Sequence, residues 1–174
     1  QALLAAFLLA VGGDAAARET WRPAAALLHD AFGDDWMHAA GAEFEHVSRE
    51  AIDVARARLA HPSRLAQTSS LGRLFDAVAF LLGLADENHH EAQAAMALES
   101  AARRAKAGLT LTFNIQTGQD DRNGPLELDA RPMIRELVAA RQAGQNVAVL
   151  ARVFHETMAA GLTQAAITIA RNYG

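Results

Sequence analysis

Apolar residues along this chain recur mostly at helical spacing, three and four apart, and runs of β-branched residues are few, so helices should dominate. After Gly12-Gly13, a first helix is expected with Thr20 as N-cap, Pro23 tolerated in its first turn, and Gly33 as the residue that stops it. Asp34, Asp35 and Gly41 then read as a loop. A second helix should run from Ser48, its N-cap, to Ala60, ended by His61-Pro62, with 63–70 as a connector. The third helix starts at Ser69 or Ser70 and carries Leu71, Leu74, Phe75, Val78 and Leu82 on one stripe, with Arg73, Asp76 and Phe80 on the opposite face. A fourth begins at Asn88, where Glu91 three residues on gives a capping-box pattern, and continues through alanines to Ala107.

Between Gly108 and Asp129 the period changes to two. Leu109, Leu111 and Phe113 alternate with polar residues, and after a Gly/Asp/Asn loop come Leu126, Glu127 and Leu128, which predicts a small hairpin. A fifth helix follows from Asp129 and Pro132 to Gly144, and a long sixth from about Asn146 to Tyr173. The sixth bears the stripe Val147, Leu150, Ala151, Phe154, Met158, Leu162, Ala165 and Ile169, but also Val149, Val153 and Ile167 elsewhere, so it should be buried on more than one side. The fold class expected is mainly α with a small β-hairpin.

With 174 residues, 51% of them hydrophobic, the chain suits one domain, residues 1–174, with one core. Sixteen Lys and Arg against twenty Asp and Glu give a net charge of -4, which argues against nucleic acid as a partner while leaving room for a nucleotide pocket. The absence of cysteine excludes disulfides, a thiolate zinc site and a cysteine nucleophile. The apolar opening from Gln1 to Val11 is short of the roughly 20 residues that span a bilayer and has no basic flank, so no membrane association is expected. Its abrupt start reads as the interior of a longer polypeptide.

No complete catalytic signature stands in the sequence: the phosphate-loop, zinc-helix, nucleophile-elbow and dinucleotide patterns are all missing. Four local features remain. Gly12-Gly13-Asp14 suits either a turn before a helix, which turn statistics favour, or close backbone approach to a ligand with Asp14 accepting from a hydroxyl. Arg73 and Asp76 either face a polar cleft or form an ion pair, solvated or between subdomains, contributing about 0.3 to 0.5 kcal/mol if exposed. The capping box accounts for Glu91 without a ligand. The seven histidines are scattered: His89 and His90 point about 100° apart, and His155 reads as a packed core histidine, so no metal ligation is expected from this segment.

Residues Thr68 to Leu84, TSSLGRLFDAVAFLLGL, closely resemble a motif of the HypF carbamoyltransferases, the NiFe-hydrogenase maturation proteins. Three weaker resemblances follow the same order. Gly12 to Ala16 with Trp21-Arg22 is similar to PGGDAA…EPWR, Glu91 to Glu99 to EGQAA…LE, and Arg152 to Ala159 to RFH…A. Val11 and Thr20 stand where that pattern has proline, and Ala92 where it has glycine, which adds a Cβ where the backbone would approach a ligand.

The resemblance implies the helical, latter part of an actin-like ATP-binding domain in a cytoplasmic protein. It implies ATP and carbamoyl phosphate as substrates, a carbamoyl adenylate intermediate, and transfer to the C-terminal cysteine of a HypE-like acceptor. The metal ion of such a domain is implied by a histidine-rich motif that these residues lack, as they lack the SGG…FQN motif. By resemblance, Gly12, Gly13, Asp14, Glu91 and Gln93 would line the nucleotide, and Arg73 and Asp76 would serve transfer, Arg73 holding phosphate or carbamoyl oxygen. On that view Arg73→Ala and Asp76→Ala lose transfer and keep the fold. Two rival readings are a non-catalytic helical module that packs on the rest of its own polypeptide or forms a homodimer, and a relative with a hydroxyl acceptor, an O-carbamoyltransferase.

Overall fold

The computed structural model describes residues 4–5, 8–9, 14–61, 63, 65–106, 114–117 and 126–173. Gly12, Gly13 and most of the predicted hairpin loop, with Leu109, Leu111 and Phe113, lie outside them. The described chain is mainly helical, as its spacing predicts: α1 (Ala15–Arg18), α2 (Trp21–Phe32), α3 (Trp36–Ala40), α4 (Arg49–Leu59), α5 (Leu71–Leu81), α6 (Gln93–Ala102), α7 (Arg131–Gln142) and α8 (Val147–Tyr173). Strands are short: β1 (Leu4–Ala5), β2 (Leu8–Leu9), β3 (Gln67–Thr68), β4 (Asn114–Thr117) and β5 (Leu126–Asp129).

Local signals hold at several ends. Gly33 stops α2 at φ 63° and Gly144 follows α7 at φ 78°, both in the left-handed region that suits glycine. The Ser48 hydroxyl accepts from the Ala51 amide and starts α4. At the start of α8, the Asn146 side chain accepts from the Ala148 amide.

Other expectations change. Residues Asp34 to Gly41 are no open loop: a 3-10 turn (Gly33–Asp35), α3 and a second 3-10 turn (Gly41–Phe44) fold the segment back onto the core. Trp36 and Phe44 are buried there with ring centroids 5.2 Å apart, and Phe44 meets Phe80 of α5 at 4.9 Å. The connector before α5 contains β3, which pairs antiparallel with β2, Leu8 opposite Thr68. The alternating stretch expected as the first hairpin strand lies outside the described residues; within them β4 begins at Asn114 and pairs antiparallel with β5, Asn114 opposite Asp129, and β1 adds to β5 in parallel, Leu4 opposite Leu126, making three strands. That pairing joins residues over a hundred apart, which no local pattern encodes.

At the centre lies α5. It packs along α2 on one side and α6 on another, α6 leans on α8, and α7 covers α2. From Asp76 to Leu81 every residue of α5 is buried, so its supposed outer face is interior too, with Phe80 under Phe44. Ala24, Ala25, Ala26, Ala77 and Ala79 are fully buried and keep side chains from separating the α2 and α5 backbones. Phe154 of α8 stands edge-on to Phe75 at 5.0 Å, and the ring of His155 meets the same Phe75 at 5.4 Å while Nδ1 donates to the Ala151 carbonyl. His155 is thus a packed, hydrogen-bonded histidine.

Candidate functional site

A helix of four residues such as α1 leaves its carbonyls without intrahelical donors. Here the Ala15 carbonyl takes the Glu19 amide, and the three that follow are taken by groups from far along the chain. Arg73 Nη1 donates to Ala16 O at 2.7 Å, Asn88 Nδ2 to Ala17 O at 3.1 Å, and the Asn88 amide to Arg18 O at 2.7 Å. The segment that follows Gly12-Gly13 is thereby fixed to α5 and to the loop before α6.

Asp76 lies on the same knot. Its Oδ1 accepts from Asn88 Nδ2 at 2.9 Å, and its Oδ2 stands 3.0 Å from Arg73 Nη2. That second contact is an ion pair by distance, but no N–H points along it, so Oδ2 is a buried oxygen without a directed hydrogen bond. Asp76 is 2% exposed. Burial pushes its carboxyl above the ordinary carboxylate value, while the Asn88 hydrogen bond and then the Arg73 charge pull it back. Arg73 is 26% exposed at its side chain and uses two of its N–H-bearing nitrogens on Ala16 and Asp76, leaving donor capacity for an outside anion. The pair is therefore no solvated surface bridge. Because one partner is buried, Arg73→Ala and Asp76→Ala will cost stability as well as any chemistry, contrary to the expectation that folding would stay intact.

The start of α6 departs from its predicted form. Asn88 is not the N-cap of a capping box: its own amide is bound to Arg18 O, and α6 begins at Gln93, preceded by Ala92 in the left-handed region at φ 60°, ψ 15°. The reach-back expected of Glu91 is made by Gln93, whose Oε1 accepts from the His89 amide at 2.7 Å. Glu91 is exposed. Asn88 Oδ1 instead accepts from the Ala94 amide at 2.9 Å, one of the orphan donors of the first turn. The φ of Ala92 also supplies the reason a glycine suits this position: the backbone conformation demands it, apart from any ligand.

Asp14 precedes α1, exposed, with no side-chain capping bond. Arg73, Asp76 and Asn88 are in contact, Gln93 opens the helix whose Ala94 amide Asn88 holds, and Asp14 stands two residues before Ala16; Glu91 lies on the loop between Asn88 and Gln93. Beside this knot an open groove of 430 Å³ runs along Gly83, Leu84, Ala85, Asp86, His89 and Gln93. A smaller, more enclosed cavity of 110 Å³ sits away from these residues, between α3 and α7, where Arg141 faces Glu43. Among the described residues no group of three or more His, Asp or Glu is placed to hold a metal ion. Nor is any described helix long and apolar enough to cross a membrane.

Sequence reasoning missed two residues. Asn88 was visible only as a cap, and Thr20, expected to cap α2, makes no such bond. Thr20 is fully buried and shares its hydroxyl proton between the carbonyls of Ala85 at 2.8 Å and Asp86 at 2.6 Å, while its amide donates to Asp86 O. These bonds span 65 residues or more, and nothing local announces them.

A family model described as "Carbamoyltransferase, Kae1-like Domain, second subdomain" matches residues 2–174. A carbamoyltransferase HypF homolog of Cupriavidus necator is 35% identical over 167 residues, which is 94% of this chain and 41% of that protein. Carbamoyltransferase HypF of Rhizobium leguminosarum bv. viciae is 35% identical over 155 residues, 86% of this chain and 18% of its own length. Among solved structures, full-length HypF in a phosphate- and nucleotide-bound form superposes with a TM-score of 0.82 at 24% identity, over 99% of this chain and 26% of that one. HypF of T. kodakarensis gives 0.79 over 22% of its length. The chain thus spans less than half the length of each of these relatives, and its mainly helical fold is that of the actin-like domain they carry. With all but its first residue inside the family model, the chain belongs to the carbamoyltransferase family, as the second subdomain of the Kae1-like domain.

Proposed function

We propose that this chain forms one wall of the nucleotide and transfer cleft of a cytoplasmic HypF-type carbamoyltransferase. The whole protein uses carbamoyl phosphate and ATP to form carbamoyl adenylate, and the thiolate of a C-terminal cysteine on a HypE-like acceptor then attacks the carbamoyl carbon as AMP leaves. The observation that carries the reading is the convergence of three separate segments, each resembling the HypF pattern, on the Arg73–Asp76–Asn88 knot. A phosphate- and nucleotide-bound form of a HypF of the same fold supports the choice of ligand.

In this arrangement Arg73 presents its remaining donors to a phosphate or carbamoyl oxygen. Asp14 accepts from a ligand hydroxyl, and the buried Asp76 holds the Arg73 guanidinium toward the ligand. Gly12 and Gly13 admit the ligand close to the backbone, and Glu91 and Gln93 border it. The rest of its own polypeptide closes the cleft and brings the metal ion.

Calorimetric titration with Mg·ATP tests the reading, with a complete Kae1-like domain of a HypF relative run beside this chain. The complete domain should bind, and this chain should bind at least about tenfold more weakly, as one wall of a site supplies only part of the contacts. Silence from both would refute nucleotide binding at this fold.

A further inference from the structure

We propose that Asn88 is the positioning residue of this cleft, the side chain that orients Asp76 and sets the first turn of α6 against the end of α1. The inference rests on the nucleotide reading above and goes beyond it, because no motif resembling the family includes Asn88.

The geometry is that of a three-way clamp. An amide side chain has two donors and one acceptor oxygen, and here both ends are used across elements. Nδ2 donates to Ala17 O at 3.1 Å and to Asp76 Oδ1 at 2.9 Å, while Oδ1 accepts from the Ala94 amide at 2.9 Å. The backbone is held too, with the Asn88 amide on Arg18 O at 2.7 Å. No other side chain in the described residues joins α1, α5 and α6 in this way. Aspartate would keep the acceptor and lose the donor, alanine would lose both, and a longer amide would not fit the same three distances.

Asn88 touches no reacting atom in this scheme. It acts through Asp76 and through Gln93, the neighbour of the residue whose amide it holds. Arg73 is the one charged group that bears on Asp76, so without the Asn88 donor the Asp76 carboxylate keeps a single undirected partner.

The test uses this chain with Mg·ATP as probe, followed by amide and carboxyl NMR at millimolar nucleotide so that weak binding registers. In the unaltered chain, Mg·ATP should shift the amides of Asp14 to Arg18 and of Asn88 to Ala94. Asn88→Ala should weaken that response about tenfold, the loss of one hydrogen bond to a charged group, raise the Asp76 titration, and speed amide exchange at Ala94 but not at Phe154. Asn88→Asp should lose affinity at neutral pH and regain it on acidification, when the two facing carboxyls share one proton and the donor to Asp76 returns; a merely structural asparagine would give no such pH-dependent recovery of affinity in folded protein. If the unaltered chain ignores Mg·ATP even at millimolar nucleotide, the proposal is overturned, and the nucleotide reading falls with it only if the complete domain is silent too. If it responds and Asn88→Ala responds equally, the proposal alone is overturned.

Discussion

Ala92→Gly should stabilise this protein, although glycine is usually the less favourable residue. Ala92 sits at φ 60°, ψ 15°, just before α6. A side chain there brings Cβ against the following carbonyl at about 1–2 kcal/mol. Glycine removes that penalty and gives back about 0.4–1 kcal/mol through the greater freedom of its unfolded chain. Ala92 is exposed, so its methyl takes no apolar burial with it and no cavity term enters. The balance is a gain of about 0.5–1 kcal/mol, or a rise in Tm of about 2 °C for a domain of this size. Thermal melts and urea unfolding of the two proteins under identical conditions measure it, with Ala92→Val as the opposite arm, since a β-branched residue tolerates this region least. If the glycine variant melts lower and the valine variant is unchanged, the left-handed conformation is wrong, and with it the explanation for the glycine in the resembling pattern.

Further outcomes follow from the same contacts. Arg73→Ala should cost about 3 kcal/mol near neutral pH, because it strands a buried carboxylate. Asp76 already titrates above its ordinary 3.8, so the folded state is favoured on the acid side and loses that advantage as pH rises through the raised value; removing Arg73 raises it further, and the deficit should shrink on acidification in urea melts. Thr20→Val should lose about 1 kcal/mol in the same assay, because the Ala85 carbonyl loses its hydroxyl donor while Asp86 O keeps only the Thr20 amide. Asp129 behaves oppositely to Asp76: hydrogen bonds from Arg131 hold its carboxyl below 3.8, so its contribution is complete above that value and is lost as pH falls through the lowered one. Asp129→Asn should therefore flatten the acid limb of the stability profile.

Helices α2, α4, α5, α7 and α8 were legible in the sequence because their signals are local: apolar spacing, Ser48 and Gly33 at ends, Pro132 in a first turn. The Asn88-Glu91 pattern misled for the same reason. It has the spacing of a capping box, but Ala17 O and Asp76 compete for Asn88, and contacts 12 and 71 residues away outweigh a cap that would satisfy one amide. Likewise the segment Asp34 to Gly41 reads as loop, yet burying Trp36 against Phe44, and Phe44 against Phe80, gains more than the loop gains by staying in water.

The sequence by itself determined the helical class, the ends of most helices and the family, since these rest on residue types at fixed short spacing. Only the tertiary structure decided that α5 is buried on every side from Asp76 to Leu81, that β1 joins β5, and that Arg73, Asp76 and Asn88 form one knot on the carbonyl end of α1. The physical reason is common to all three: orphan backbone groups and buried charges take whatever partner the packing brings, and packing joins residues whose separation along the chain carries no pattern.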